Sequence, residues 1–104
     1  MASLHVICRD RLHLHVTQFP EFESGYWDLS EGDAQRLVGG MLYLHQKKGE
    51  PSYFGGTVQS YRVSGPEDVI ADRIVFTITA TAEGKGASWR GASHGMAWSS
   101  GIIE

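Results

Sequence analysis

Apolar and polar positions alternate most cleanly near the C-terminal third of the chain. In "RIVFTITATA", Ile74, Phe76, Ile78 and Ala80 alternate with Val75, Thr77, Thr79 and Thr81. That is the period-two pattern of a half-buried strand rich in β-branched residues. "TVQSYRV" alternates too, with Val58, Ser60 and Arg62 on one face and Thr57, Gln59, Tyr61 and Val63 on the other. "MLYLHQ" is a third strand. At the front, "SLHVICRD" and "RLHLHVTQ" predict one or two strands, joined as a hairpin through Arg9-Asp10-Arg11. There Leu12, Leu14 and Val16 would share one face and His13 and His15 the other.

One stretch follows a helical period. In "DLSEGDAQRLVGG", Ser30 is placed to cap, with Asp33 three residues on, as in a capping box. Leu29 and Ala34 would pack around the cap, Leu37 and Val38 would face inward, and Gly39-Gly40 supplies the stop. The helix predicted is about 30–38, roughly two turns. Pro20 and Gly25 mark "QFPEFESGYWD" as a loop with aromatic anchors. "KKGEPSYFGG" is a turn region, "SGPEDVIAD" a loop, and "EGKG" a turn into a tail in which Ala87 to Arg90 form another strand. In "PSYFGG" the paired glycines signal close backbone approach, to a strand or to a ligand.

The sum is five or six strands and one short helix. Strands do not alternate with regular helices, which argues against a doubly wound α/β sheet. The expected class is mainly β (α+β): a small antiparallel β-barrel or strongly curved sheet with one short helix. The 13 glycines support it, since glycine is costly inside helices and suited to turns and barrel corners. A length of 104 residues fits a single domain, 1–104.

Charge narrows the partners. The formal net charge is −3, and the longest basic block is Lys47-Lys48. Tight sequence-independent binding to DNA or RNA needs many phosphate contacts, and this balance argues against it. Reading one base of a single strand or a flipped-out nucleotide is not excluded, because stacking carries more of that energy. The single cysteine permits no intramolecular disulfide. No signal sequence or run of roughly 20 apolar residues is present, so no membrane is expected and a cytoplasmic location is. Monomer and homodimer both remain open.

The order helix, Gly-marked turn, apolar strand, polar Gly-containing loop, apolar strand in "DLSEGDAQRLVGGMLYLHQKKGEPSYFGGTVQSYR" resembles the small barrel family that includes PUA, ASCH and EVE domains. The likeness spans about 26–81 and includes the tryptophan before the helix. The opening signature of EVE domains is not part of it. The resemblance implies a barrel whose surface pocket reads a nucleobase or modified nucleotide.

Candidate chemistry centres on rings. Large side chains sit among small ones in "ASWRGASHGMAW". Trp27, Trp89 and Trp98 are either core residues or stacking surfaces. In the second case Arg90 would contact an anionic group, and His94 or Tyr53 would add a polar contact. The expected function is a non-enzymatic binding module with an aromatic pocket for a nucleobase or modified nucleotide. An alternative is a small hydrolase-type enzyme pairing His94 with Asp28 or Asp72. A third is a protein-partner or assembly module. No G-x-S-x-G, P-loop or dinucleotide fingerprint is present, Ser93 and His94 would point to opposite faces of a strand, and Cys8 reads as a small buried hydrophobe. His13 and His15 have a spacing that suits Zn or Cu only if Cys8, His5 or His45 complete the set; no metal and no cofactor is expected.

Overall fold

A computed structural model describes residues 2–91 and 97–104. These residues form six strands: β1 (Ser3–Ile7), β2 (Leu14–Gln18), β3 (Glu21–Trp27), β4 (Met41–His45), β5 (Phe54–Val63) and β6 (Ile74–Ala80). Among the described residues one α-helix, α1 (Glu31–Leu37), lies between β3 and β4. The strands form one sheet in the order β1-β4-β5-β6-β3-β2. Every pairing is antiparallel except β1 with β4. The protein is therefore mainly β, a strongly curved mixed sheet that stops short of closure.

β6 lies inside the sheet, between β5 and β3. Its alternation delivers Ile74, Phe76 and Ile78 to the core, with Leu4 and Val6 from β1, Leu42 and Leu44 from β4, Val58 from β5 and Phe22 from β3. α1 adds Ala34 and Leu37. Its start follows the predicted chemistry: Asp33 N donates to Ser30 Oγ at 3.1 Å, satisfying one of the first-turn amides that the helix leaves open. Ser30→Ala should cost about 1 kcal/mol, visible as a lower midpoint in urea with an unchanged slope.

Several expectations need correction. β1 and β2 are not a hairpin; they lie at opposite ends of the sheet. The link between them contains a 3₁₀ turn, Arg9–Arg11, and its residues Asp10, Arg11 and His13 adopt φ of 57°, 59° and 57°. This diverts the chain instead of folding it back. Leu12 and Val16 are exposed, and only Leu14 of that set packs against the core. The expected loop 18–28 contains β3, which is paired on both sides and turns Phe22 and Ser24 inward. Val38 is exposed because α1 ends at Leu37. A register shift between Val58 and Ser60 breaks the alternation read for β5.

Ala87–Arg90 is not a strand. Left-handed Gly86 and Gly91 (φ 89° and 99°) bend this stretch, and Ala87 is instead tied to Ser52. The real edge partner of β1 comes later. Ile7 N donates to Trp98 O, Ser100 N to His5 O, and Ser3 and Ile103 exchange both backbone bonds, all at 2.8–2.9 Å. Arg36 Nη2 on α1 donates to Glu104 Oε2 at 2.6 Å, holding the tail's far end. β1, nominally an edge strand, is consequently buried on both faces.

Candidate functional site

Because the sheet curls without closing, β1 and its tail approach the C-terminal end of β3. A groove runs along this seam. Trp27, the last residue of β3, is buried and donates its indole N–H to Ser24 Oγ at 3.1 Å. Trp98 of the tail lies parallel to it, with centroids 5.7 Å apart and planes 9° from parallel, and remains 38% exposed. One lobe of the groove, about 200 Å³, is lined by Ile7, Tyr26, Trp27, Asp28 and Trp98. An adjoining lobe of about 180 Å³ shares Ile7, Tyr26 and Trp27 and adds Arg9, Leu12, His13 and Ile70 among others. Each is smaller than the roughly 300 Å³ at which small-molecule sites begin, and the two lie against the same three residues, Ile7, Tyr26 and Trp27.

The rings of the groove are braced from behind. The Tyr26 hydroxyl donates to Asp68 at 3.4 Å, and Asp68 also accepts from Arg62 and from Gly65 N. The Arg62 guanidinium, followed by the Gly65 amide, holds the Asp68 carboxyl below the usual carboxylate range. The His13 ring meets Tyr26 edge-on at 5.0 Å.

A second cavity, about 330 Å³, lies across the Arg9–His13 link and is lined by Asp10, Arg11, Gln46 and Tyr53. Its polar groups already serve one another. Asp10 N donates to Gln46 Oε1, and Gln46 Nε2 donates back to Asp10 Oδ1. The Tyr53 hydroxyl donates to Cys8 O, and Arg11 lies over the Phe54 ring at 5.3 Å. Cys8 is buried, donates to Leu12 O, and has its thiol pKa raised by burial.

A third cluster lies under the tail, where β1 and β4 run parallel. His5 stacks on Tyr43 at 4.6 Å, and Trp89 packs against both His5 and His45. His5 Nδ1 and His45 Nε2 are 2.8 Å apart, and His45 Nδ1 is 2.9 Å from Glu50 O. A carbonyl only accepts, so Nδ1 of His45 carries the hydrogen. Nε2 of neutral His45 is then a lone pair, and His5 Nδ1–H donates to it. This leaves His5 Nε2 as a lone pair, buried and without a partner among the described residues. Burial, then the neighbouring His45 and Arg90, push the His5 pKa down to about 4; burial also lowers His45.

The predicted site residues thus divide. Trp27 and Trp98 come together in the seam. Trp89 and Arg90 belong to the histidine cluster, where Arg90 Nη2 donates to Ser3 Oγ at 3.1 Å. Tyr53 belongs to the second cavity. His94 lies outside the described residues. The groove also uses Tyr26, Asp28, Arg9 and His13, which the sequence reading did not assemble into one site. A usable signal existed for two of them: a charged stretch, "CRDRLHLH", interrupts two apolar runs. The paired glycines of "PSYFGG" serve backbone packing: a Cβ on Gly55 would lie 2.5 Å from Leu42 O. Among the described residues no three His, Cys, Asp or Glu side chains are placed to hold a metal ion, and no helix is long and apolar enough to cross a membrane.

Comparison with protein families, curated proteins and solved structures finds no match for this chain.

Proposed function

We propose that the chain is a binding module that takes a flat heteroaromatic group, a nucleobase, in the seam groove. The observation that carries this is the exposed Trp98 ring. It is laid parallel on a buried, hydrogen-bonded Trp27, beside Tyr26 and Asp28. A ring fixed from behind and open in front offers a stacking surface that loses little entropy on binding. Base–aromatic stacking is worth about 1–3 kcal/mol per base. Asp28 gives the lobe an acceptor for a base amino or imino hydrogen. The barrel family resembled by 26–81 implies the same ligand class.

The test is tryptophan fluorescence titrated with nucleosides and short single strands carrying plain and modified bases. Trp98→Ala should weaken binding at least tenfold while moving stability by only about 1 kcal/mol, the worth of one aromatic pair. Unchanged affinity in that variant, or no saturable quenching in the wild type, would overturn the proposal. Asp28 among three rings favours a second reading, an organic cation held by the ring faces. Quenching by trimethyllysine, with none by any base, would select it.

A further inference from the structure

The two lobes differ in the charged side chains that line them. The Trp98 lobe carries the Asp28 carboxylate, and the adjoining lobe carries Arg9 and His13. Arg9 forms no ion pair with any described residue. On a chain of net charge −3, an uncompensated guanidinium beside an imidazole in a cleft is a local reversal of sign.

The backbone that presents them is held in place. Asp10, Arg11 and His13 all have left-handed φ, a conformation costly for residues with a Cβ and kept only where surroundings impose it. Here those surroundings lie on the far side of the link. They are the Asp10–Gln46 pair, Arg11 over Phe54, and the Tyr53 hydroxyl on Cys8 O. On the near side, His13 O accepts from Gly25 N at 3.4 Å and the His13 ring abuts Tyr26. Arg11 is thus spent on packing, while Arg9 and His13 face the groove.

We infer that the second lobe is a phosphate subsite, so that the ligand is a nucleotide rather than a bare base. The base lies in the Trp98 lobe with its hydrogen-bonding edge toward Asp28, and the phosphate lies against Arg9 and His13. The Arg9 guanidinium offers several N–H donors to phosphate oxygens. The His13 ring offers one N–H in either neutral tautomer. Reversed placement would put phosphate beside the Asp28 carboxylate, so the charges fix the orientation as well as the ligand class. This inference rests on the base-binding proposal.

The experiment compares the four common ribonucleosides with their 5′-monophosphates on the full chain, by fluorescence titration and calorimetry at low and high salt. At low salt the best monophosphate should bind about tenfold more tightly than its nucleoside, and salt should shrink that gap. Arg9→Gln should close the gap, weakening the monophosphate far more than the nucleoside. Lys85→Gln, which removes one positive charge outside both lobes, should leave the gap intact. Equal binding of nucleoside and monophosphate, or an Arg9→Gln loss shared equally by both, overturns the phosphate subsite and leaves the base-binding groove standing. Binding of neither removes both.

Discussion

Gly84→Ala should be among the most damaging single-methyl changes in this protein, lowering stability by about 3 kcal/mol or more. Gly84 ends the 3₁₀ turn Ala82–Gly84 and is buried against Gly55 of β5. A Cβ built on it would lie 2.1 Å from Gly55 O and 2.2 Å from Gly55 C. These are backbone atoms, so no rotamer change relieves the clash and the two segments must separate. Separation would strain Ser52, whose hydroxyl donates to Gly84 O at 2.8 Å and accepts from Ala87 N at 2.9 Å. The cost therefore belongs at the upper end of overpacking penalties, about 1–3 kcal/mol and occasionally more, and is a large share of a total of roughly 5–15 kcal/mol. A fall in Tm of about 12 °C or more should follow. Two controls separate space from backbone conformation. Gly49→Ala meets nothing within 4 Å and should be nearly neutral. Gly86→Ala also meets nothing but sits at φ +89°, so it should cost about 1 kcal/mol from the left-handed backbone alone. A Gly84→Ala protein melting with the Gly86→Ala protein would show that the two segments part easily.

That close approach was legible in "PSYFGG" only as one of two options, and the reason applies widely here. Local signals told the truth where local physics decides. The Ser30 hydroxyl, three residues from Asp33, forms its cap, and the alternation of Ile74, Phe76 and Ile78 puts those side chains in the core. Signals misled where tertiary pairing decides. β3 carries Gly25 and follows Pro20, which read as loop, yet pairing with β6 and β2 satisfies its backbone and makes it a strand. The histidines of "LHLHV" suggested a period of two, but left-handed His13 steps out of register before β2 begins. Nothing local announces that β1 and β4 run parallel, and it is this register, with Ile7 opposite His45 and His5 opposite Tyr43, that brings His5 to His45. The seam is equally non-local. Trp27 and Trp98 meet because the sheet curls and the tail returns along β1, a consequence of topology that no spacing encodes.

The same returning tail makes the protein acid-sensitive, and the expected loss is about 3 kcal/mol between pH 6.5 and pH 4. The His5 pKa is about 4 in the folded chain against an ordinary 6.5, chiefly through burial and then through His45 and Arg90. Between those values the unfolded chain binds the proton that the folded chain excludes. Stability must therefore fall as pH drops through this window and level off, for this group, below about 4. A shift of this size corresponds to about 3 kcal/mol, and His45, also lowered by burial, adds in the same direction. The hydrogen-bond chain supplies the reason. With His5 Nδ1–H already given to His45, a second proton must go on Nε2, which is buried without an acceptor among the described residues. The groups facing it are His45, Tyr43, Trp89 and Arg90, none of them a carboxylate to stabilise the charge. Asp68, whose pKa is lowered by Arg62, loses its contribution only below the ordinary aspartate range and so leaves the upper window to the histidines. Urea midpoints from pH 8 to pH 4 measure the slope, and His5→Gln isolates it, since glutamine retains a donor for His45 Nε2 but does not titrate. The variant should flatten most of the loss between pH 6.5 and 4, whatever its stability at pH 8. An undiminished slope would place the acid-sensitive group elsewhere. Because Ser100 and Trp98 bond to β1 at and beside His5, the acid-induced loosening should appear first in the tail, as a loss of the Trp27–Trp98 stack reported by tryptophan emission before the sheet's far-UV signal changes.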